Sequence, residues 1–152
     1  SLEEARGVVD FPVVVPRLET FGAPDRVLVD ADRPIGGSVT LAYGDRAGYP
    51  AGRDGTGVQI TEFRADISPE AFEKMIHTGV RVERTTVSGQ PAFWVAGGEH
   101  FFFYRDANGQ VVDDTIRLVA DTLIWESGGL TLRVEGAPSL DAARAVGESL
   151  SE

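Results

Sequence analysis

The chain has 152 residues, 42% hydrophobic and 25% charged, and its 14 Lys and Arg against 24 Asp and Glu give a formal charge of −10. That length suits one domain with its own core, and the mix fits neither a disordered nor a membrane-embedded chain. Acids run from Glu3 to Glu152 and the most basic stretch, Arg81 to Arg84, contains Glu83, which argues against a nucleic-acid or anionic-membrane partner.

Ser1-Leu-Glu-Glu4 has the capping-box pattern, and Leu2, Ala5, Val8 and Val9 recur on one helical face, so the spacing predicts a short opening helix that ends before Phe11-Pro12. Val13 to Val15, closed by Pro16, reads as a buried strand, and Arg26 to Asp30 as the next, with its turn at 32–37. Ser38 to Tyr43 and Gly57 to Arg64 read as antiparallel partners, with Val58, Ile60 and Glu62 on one face. Between them 44–56, rich in Gly, Asp and Arg, is an exposed loop.

Ser68-Pro69-Glu70 caps a middle helix running to about His77, with Ala71, Phe72, Met75 and Ile76 on its buried face. Three hairpins follow: 81–87 with 91–96 about Ser88-Gly89, 101–104 with 110–113 about 106–109, and 122–126 with 130–135 about Ser127-Gly-Gly129. A final helix after Pro138-Ser139 carries Ala142, Ala143, Val146 and Leu150. Hairpins dominate, so the expected fold is a single α+β domain over 1–152: a mainly antiparallel sheet with an N-terminal, a middle and a C-terminal helix covering one face.

Chemistry-bearing motifs are scarce. Without cysteine, disulfides, thiolate metal sites and cysteine nucleophiles are excluded. His77 and His100 have no ligand spacing for a metal, and they read as a helix-end charge and a strand-edge residue. Ser88 and Ser127 lie in turns rather than in Gly-x-Ser-x-Gly, and the glycines around Gly52 to Gly55 and Gly97-Gly98 lack the Lys-Ser/Thr ending of a phosphate loop. No catalytic residue, metal site or cofactor is therefore assigned.

The aromatics are more informative. In a strand Phe101 and Phe103 share one face while Phe102 and Tyr104 share the other. A central strand packed on both sides explains this, and so does a groove for an apolar ligand or a peptide. Trp94, Phe102, Tyr104 and Trp125 are the candidate ligand-binding residues.

One series of motifs, taken in order, resembles a family: Ala5 to Phe11-Pro-Val-Val-Val-Pro16, Val39-Thr-Leu-Ala-Tyr43, Gly57-Val-Gln-Ile-Thr-Glu-Phe63, Val82-Glu83, Val87-Ser-Gly-Gln-Pro-Ala-Phe-Trp94, Leu123-Ile-Trp-Glu126, Leu130-Thr-Leu-Arg-Val-Glu135 and the helix from Ala142 to Leu150. It resembles the extracytoplasmic domains of unknown function of bacterial anti-sigma-factor-like membrane proteins and related lipoproteins, over nearly the whole chain. The resemblance implies a non-catalytic domain outside the cytoplasmic membrane, joined to it by a segment upstream of Ser1, and it supplies no site residues. Abundant Arg, Asp, Ala and Gly with scant Lys are consistent with a GC-rich bacterial source.

The leading expectation is a sensor or interaction domain for a peptide, protein or small ligand, with the aromatic strands or the 44–56 loop forming its surface. An alternative is a small hydrolase assembled from Glu62, Glu99, Asp113, Asp114 and His100, which requires His100 and a carboxylate in one pocket. A structural spacer is the third.

Overall fold

In a computed structural model the described residues are 1–32, 36–64, 80–97, 100–105, 111–118 and 121–152, with backbone alone for 100–105 and 111–118. Helix α1 (Leu2–Val8) opens with the expected capping box: Glu4 N–H donates to the Ser1 hydroxyl at 3.3 Å, and the Ser1 amino group donates to the Glu4 carboxylate at 2.7 Å. After β1 (Val15–Pro16) come β2 (Arg26–Asp30), β3 (Ser38–Ala42) and β4 (Gln59–Phe63), then β5 (Arg81–Val87) and β6 (Gln90–Ala96). Next are β7 (His100–Arg105), β8 (Val111–Leu118), β9 (Thr122–Ser127), β10 (Leu130–Glu135), α2 (Leu140–Glu148) and β11 (Leu150–Ser151).

Seven strands form one antiparallel sheet in the order β2-β3-β4-β10-β9-β6-β5, and the pairs β1-β11 and β7-β8 form two small ones. Two of the hairpins turn on residues with positive φ, Ser88 with Gly89 and Gly128 with Gly129, the conformation whose twist matches that of paired strands.

Period-2 alternation sends Val39, Leu41, Ile60, Leu123, Leu132 and Val134 to one face, where they meet Ala5 of α1, Ala143 and Val146 of α2, and Phe11 and Val13 of the N-terminal strap. On the opposite face Ile124 and Val95 pack with Val80. Central strand β10 is buried at every position. Its Arg133 Nε lies 3.3 Å from Glu135 Oε2, which offsets part of the cost of burying both charges.

An α+β architecture with a mainly antiparallel sheet is thus present, with two helices rather than three among the described residues; the middle helix expected at 68–77 falls outside them. Two chain ends also differ from expectation. The strand read at 13–15 is displaced to Val15–Pro16, because Val14 N–H is taken by a side chain rather than by a ladder. The last helix stops at Glu148, where the Ser149 hydroxyl donates to Val146 O at 2.7 Å, and Leu150 and Ser151 pair with β1 instead.

Candidate functional site

The site starts from alternation on β3 and β4. Tyr43 continues the inward face of Val39 and Leu41, and Glu62 continues that of Ile60, so a phenol and a carboxyl enter an otherwise apolar layer. Glu62 is fully buried, opposite Val39 on one side and Leu132 on the other. Burial pushes its carboxyl up to about 8, against the opposing effects of the Val14 N–H and the Arg6 charge.

Glu62 Oε2 accepts from Val14 N–H at 2.9 Å, and Oε1 has no hydrogen-bond partner among the described residues. Arg6 Nη2 reaches the same strap by donating to Val13 O at 3.4 Å. The strap is fixed further along by β1-β11 pairing, by Arg17 N–H to Ser149 O at 3.1 Å, and by Arg17 Nε to the Ser151 hydroxyl at 2.7 Å.

Tyr43 lies further along the same inward face, feels the Glu62 charge, and also borders a surface cleft. Its hydroxyl is buried without a partner among the described residues, and burial pushes the phenol up to about 12, with the Glu62 and Asp25 charges adding to the rise and Arg46 opposing it. Phe21 meets the ring edge-on at 5.0 Å, and the Arg46 guanidinium lies 5.5 Å from its centroid.

Arg46 organises the loop over 44–56. Its Nε donates to Phe21 O at 2.8 Å, and its Nη2 donates to Ala23 O at 3.2 Å and pairs with Asp25 Oδ2 at 3.1 Å. Asp25 Oδ2 also accepts from Gly44 N–H at 2.6 Å, and these two partners hold its carboxyl below the usual range. The Tyr49 hydroxyl ties the loop to α2 by donating to Ala142 O at 3.2 Å.

Where the loop leaves and rejoins the sheet, Asp25, Arg26, Ala42, Tyr43, Gly44, Gly55 and Thr56 line a half-open cleft of about 240 Å³. Arg26 Nη2 donates to the Thr56 hydroxyl at 3.0 Å across its rim. A carboxylate, a guanidinium and a hydroxyl around its mouth suit a small polar ligand or the end of a peptide.

The residues singled out from sequence fall elsewhere. Trp94 and Trp125 are only 3% and 4% exposed and fill the core; a Cβ on Gly147 of α2 would stand 2.9 Å from the Trp125 ring. Those two indoles therefore build the helix-sheet contact rather than an accessible groove. Phe102 and Tyr104 lie on β7, paired in backbone register with Asp114 and Val112 of β8, and their side chains lie outside the described ones.

Of the hydrolase set, Glu62 belongs to the seven-stranded sheet, whereas His100, Asp113 and Asp114 belong to the β7-β8 ribbon and Glu99 lies outside the described residues. Among the described residues no three His, Asp or Glu side chains gather as a metal site would require, and no helix is long and apolar enough to cross a membrane. Comparison with protein-family models, curated proteins and solved structures finds no match to this chain.

Sequence reasoning missed Asp25, Arg26, Tyr43 and Arg46, whose roles arise from loop closure. Glu62 did carry a signal: an acid in phase with Val58 and Ile60 on a buried strand face.

Proposed function

We propose that the chain is a non-catalytic extracytoplasmic sensor or interaction domain of a bacterial membrane-anchored regulatory protein of the anti-sigma-factor-like kind, tethered through a segment preceding Ser1. The observation that carries this reading is the position of Tyr43. It lines the cleft that would receive the ligand, and it lies within electrostatic reach of the buried Glu62 that holds Val14 of the strap.

In a domain tethered through its N-terminus that strap follows directly on α1, the element nearest the anchor, so the same residues lie between a ligand cleft and the direction of signal output. Unsatisfied buried polar groups cost about 1–3 kcal/mol each. The Tyr43 hydroxyl and Glu62 Oε1, which have no partner among the described residues, would favour a second arrangement in which they gain one, as a two-state sensor uses.

The burial of Glu62 weighs against the hydrolase alternative, since a general acid or base must reach substrate. Residues 1–152 lack cysteine, so Arg53→Cys in the exposed loop of the full-length product adds a labelling site that is absent from the unsubstituted product, which serves as the control for any cysteine elsewhere. Modification by a membrane-impermeant maleimide in intact spheroplasts is the expected result. Protection until lysis would place the domain inside the cell and overturn the reading.

A further inference from the structure

The sheet ends at β2, which pairs with β3 on one side and with no strand among the described residues on the other. Exposed edges invite pairing with another chain, and proteins usually blunt them with proline, inward-pointing charges, bulges or a covering element. Strand β2 runs in unbroken register with β3 over all five residues, and Leu28 and Val29 are 56% and 38% exposed. Val8, at the end of the helix that packs on β2, is 52% exposed. These three are the large exposed hydrophobics among the described residues.

The strand reads Arg26-Val-Leu-Val-Asp30 and is complementary to itself. Laid antiparallel to a copy about Leu28, it sets Arg26 opposite the second copy's Asp30 and Asp30 opposite the second copy's Arg26, with Val27 against Val29 and Leu28 against Leu28. Directly opposed residues of antiparallel strands have Cβ atoms about 5 Å apart, close enough for both charge pairs to form. A slip of one residue loses both pairs, so charge fixes the register as well as the partner.

We propose that the chain associates with a second copy of itself by antiparallel pairing of the two β2 strands across a two-fold axis at Leu28, so that one sheet continues through the dimer. The contact is isologous, as a two-fold demands. Arg26, Leu28 and Asp30 share the sheet face turned away from α1 and α2, while Val27 and Val29 extend the helix-covered face on which Val8 also lies. Within each copy Arg26 Nη2 donates to the Thr56 hydroxyl at 3.0 Å, on the far side of β3, and Asp30 Oδ1 accepts from Asp32 N–H at 2.9 Å, so pairing across the axis requires Arg26 to exchange its hydroxyl partner for a carboxylate.

Five residues a side make a contact well below the size of permanent interfaces, and the charge of −10 on each copy adds long-range repulsion. The dimer is therefore weak and strengthens as salt screens that repulsion, until the Arg26–Asp30 pairs are themselves screened.

Sedimentation equilibrium at physiological ionic strength, carried to high-micromolar chain concentration, tests this. Wild type is expected to show a monomer-dimer equilibrium. Arg26→Asp and Asp30→Arg each place like charges opposite one another and are expected to weaken it about tenfold or more.

Mixing R26D with D30R restores both opposite-charge pairs and is expected to give a heterodimer, and the double variant R26D/D30R is expected to dimerise with itself. Circular dichroism confirms that each variant is folded. Monomeric wild type at every concentration overturns the proposal. So does association that survives either single reversal, or a mixture that fails to associate.

Discussion

Replacing Glu62 with glutamine removes one proton-binding group from the apolar face of the sheet while leaving an oxygen to accept from Val14 N–H. Burial raises the folded-state carboxyl from 4.5 to about 8. Between those values the folded chain keeps a proton that the unfolded chain has released. The contribution of this group is thus fully present below about pH 4.5, is lost as pH rises, and levels off above about pH 8. At about 1.4 kcal/mol per pH unit the whole loss is on the order of 5 kcal/mol, and on the order of 3 kcal/mol of it is already in force at pH 7.

Glu62→Gln is therefore expected to be more stable than wild type at pH 7 by roughly 2–3 kcal/mol, worth roughly 5–10 °C in Tm for a domain of this size. The two proteins should converge toward pH 4.5. Thermal melts of both from pH 4.5 to 9, compared pairwise, cancel every other titrating group. Parallel curves, or a variant less stable at pH 7, would refute the view of Glu62 as a buried, predominantly neutral acid at that pH.

Three further outcomes are expected. Tyr43→Phe removes a buried hydroxyl that has no partner among the described residues, so denaturant titration should show it neutral or stabilising by about 1 kcal/mol; a loss larger than that means the hydroxyl is satisfied in solution. Gly136→Ala places a Cβ 2.2 Å from the Gly57 carbonyl oxygen at a backbone φ of +80°. The clash is with backbone that cannot rotate away, so a loss of about 3 kcal/mol or more is expected in the same titration. Ser139→Ala deletes the hydroxyl that accepts from Ala142 N–H at 3.2 Å at the start of α2 and should cost about 1 kcal/mol, read from Tm.

Much of the sheet was legible because its rules are local. Ser88-Gly89 and Ser127-Gly-Gly129 announce tight turns, and the alternation in β3 and β4 gives both their pairing and their buried face. The order of strands was not legible. It places β10 at the centre between β4 and β9, and nothing near Leu130 in sequence states that Phe63 will lie alongside.

The joining of the chain ends was hidden for a related reason. Val15–Pro16 and Leu150–Ser151 are too short to show a period, and Pro16 offers no N–H. The two tryptophans illustrate an ambiguity of aromatic strands, since burial and ligand contact select the same residues. Ala92 and Ala96 flanking Trp94, and Gly147 within α2, were the signals that large rings are accommodated inside. The cleft was least legible, because Asp25, Arg26 and Thr56 meet only after the 44–56 loop closes on Phe21 and Ala23 through Arg46.

The choice of glutamate at position 62 bears on the functional reading. A glutamine there would accept from Val14 N–H equally well and carry no ionisation cost, so a purely structural role for this hydrogen bond gives no reason to keep the acid. What glutamate adds is a proton that can leave near pH 8 and a charge whose energy depends on whether the strap is closed over it. Ionisation strengthens the bond to Val14 but exposes the full desolvation cost of the carboxylate, which opening the strap to water relieves. Any ligand or partner that binds the closed and open forms unequally must then shift the protonation of Glu62, and proton uptake must shift that affinity by the same factor. Binding measured across pH 6.5 to 9 should follow this coupling in wild type and lose it in Glu62→Gln. Equal pH dependence in both proteins would leave Glu62 as a cost of the core with no part in recognition.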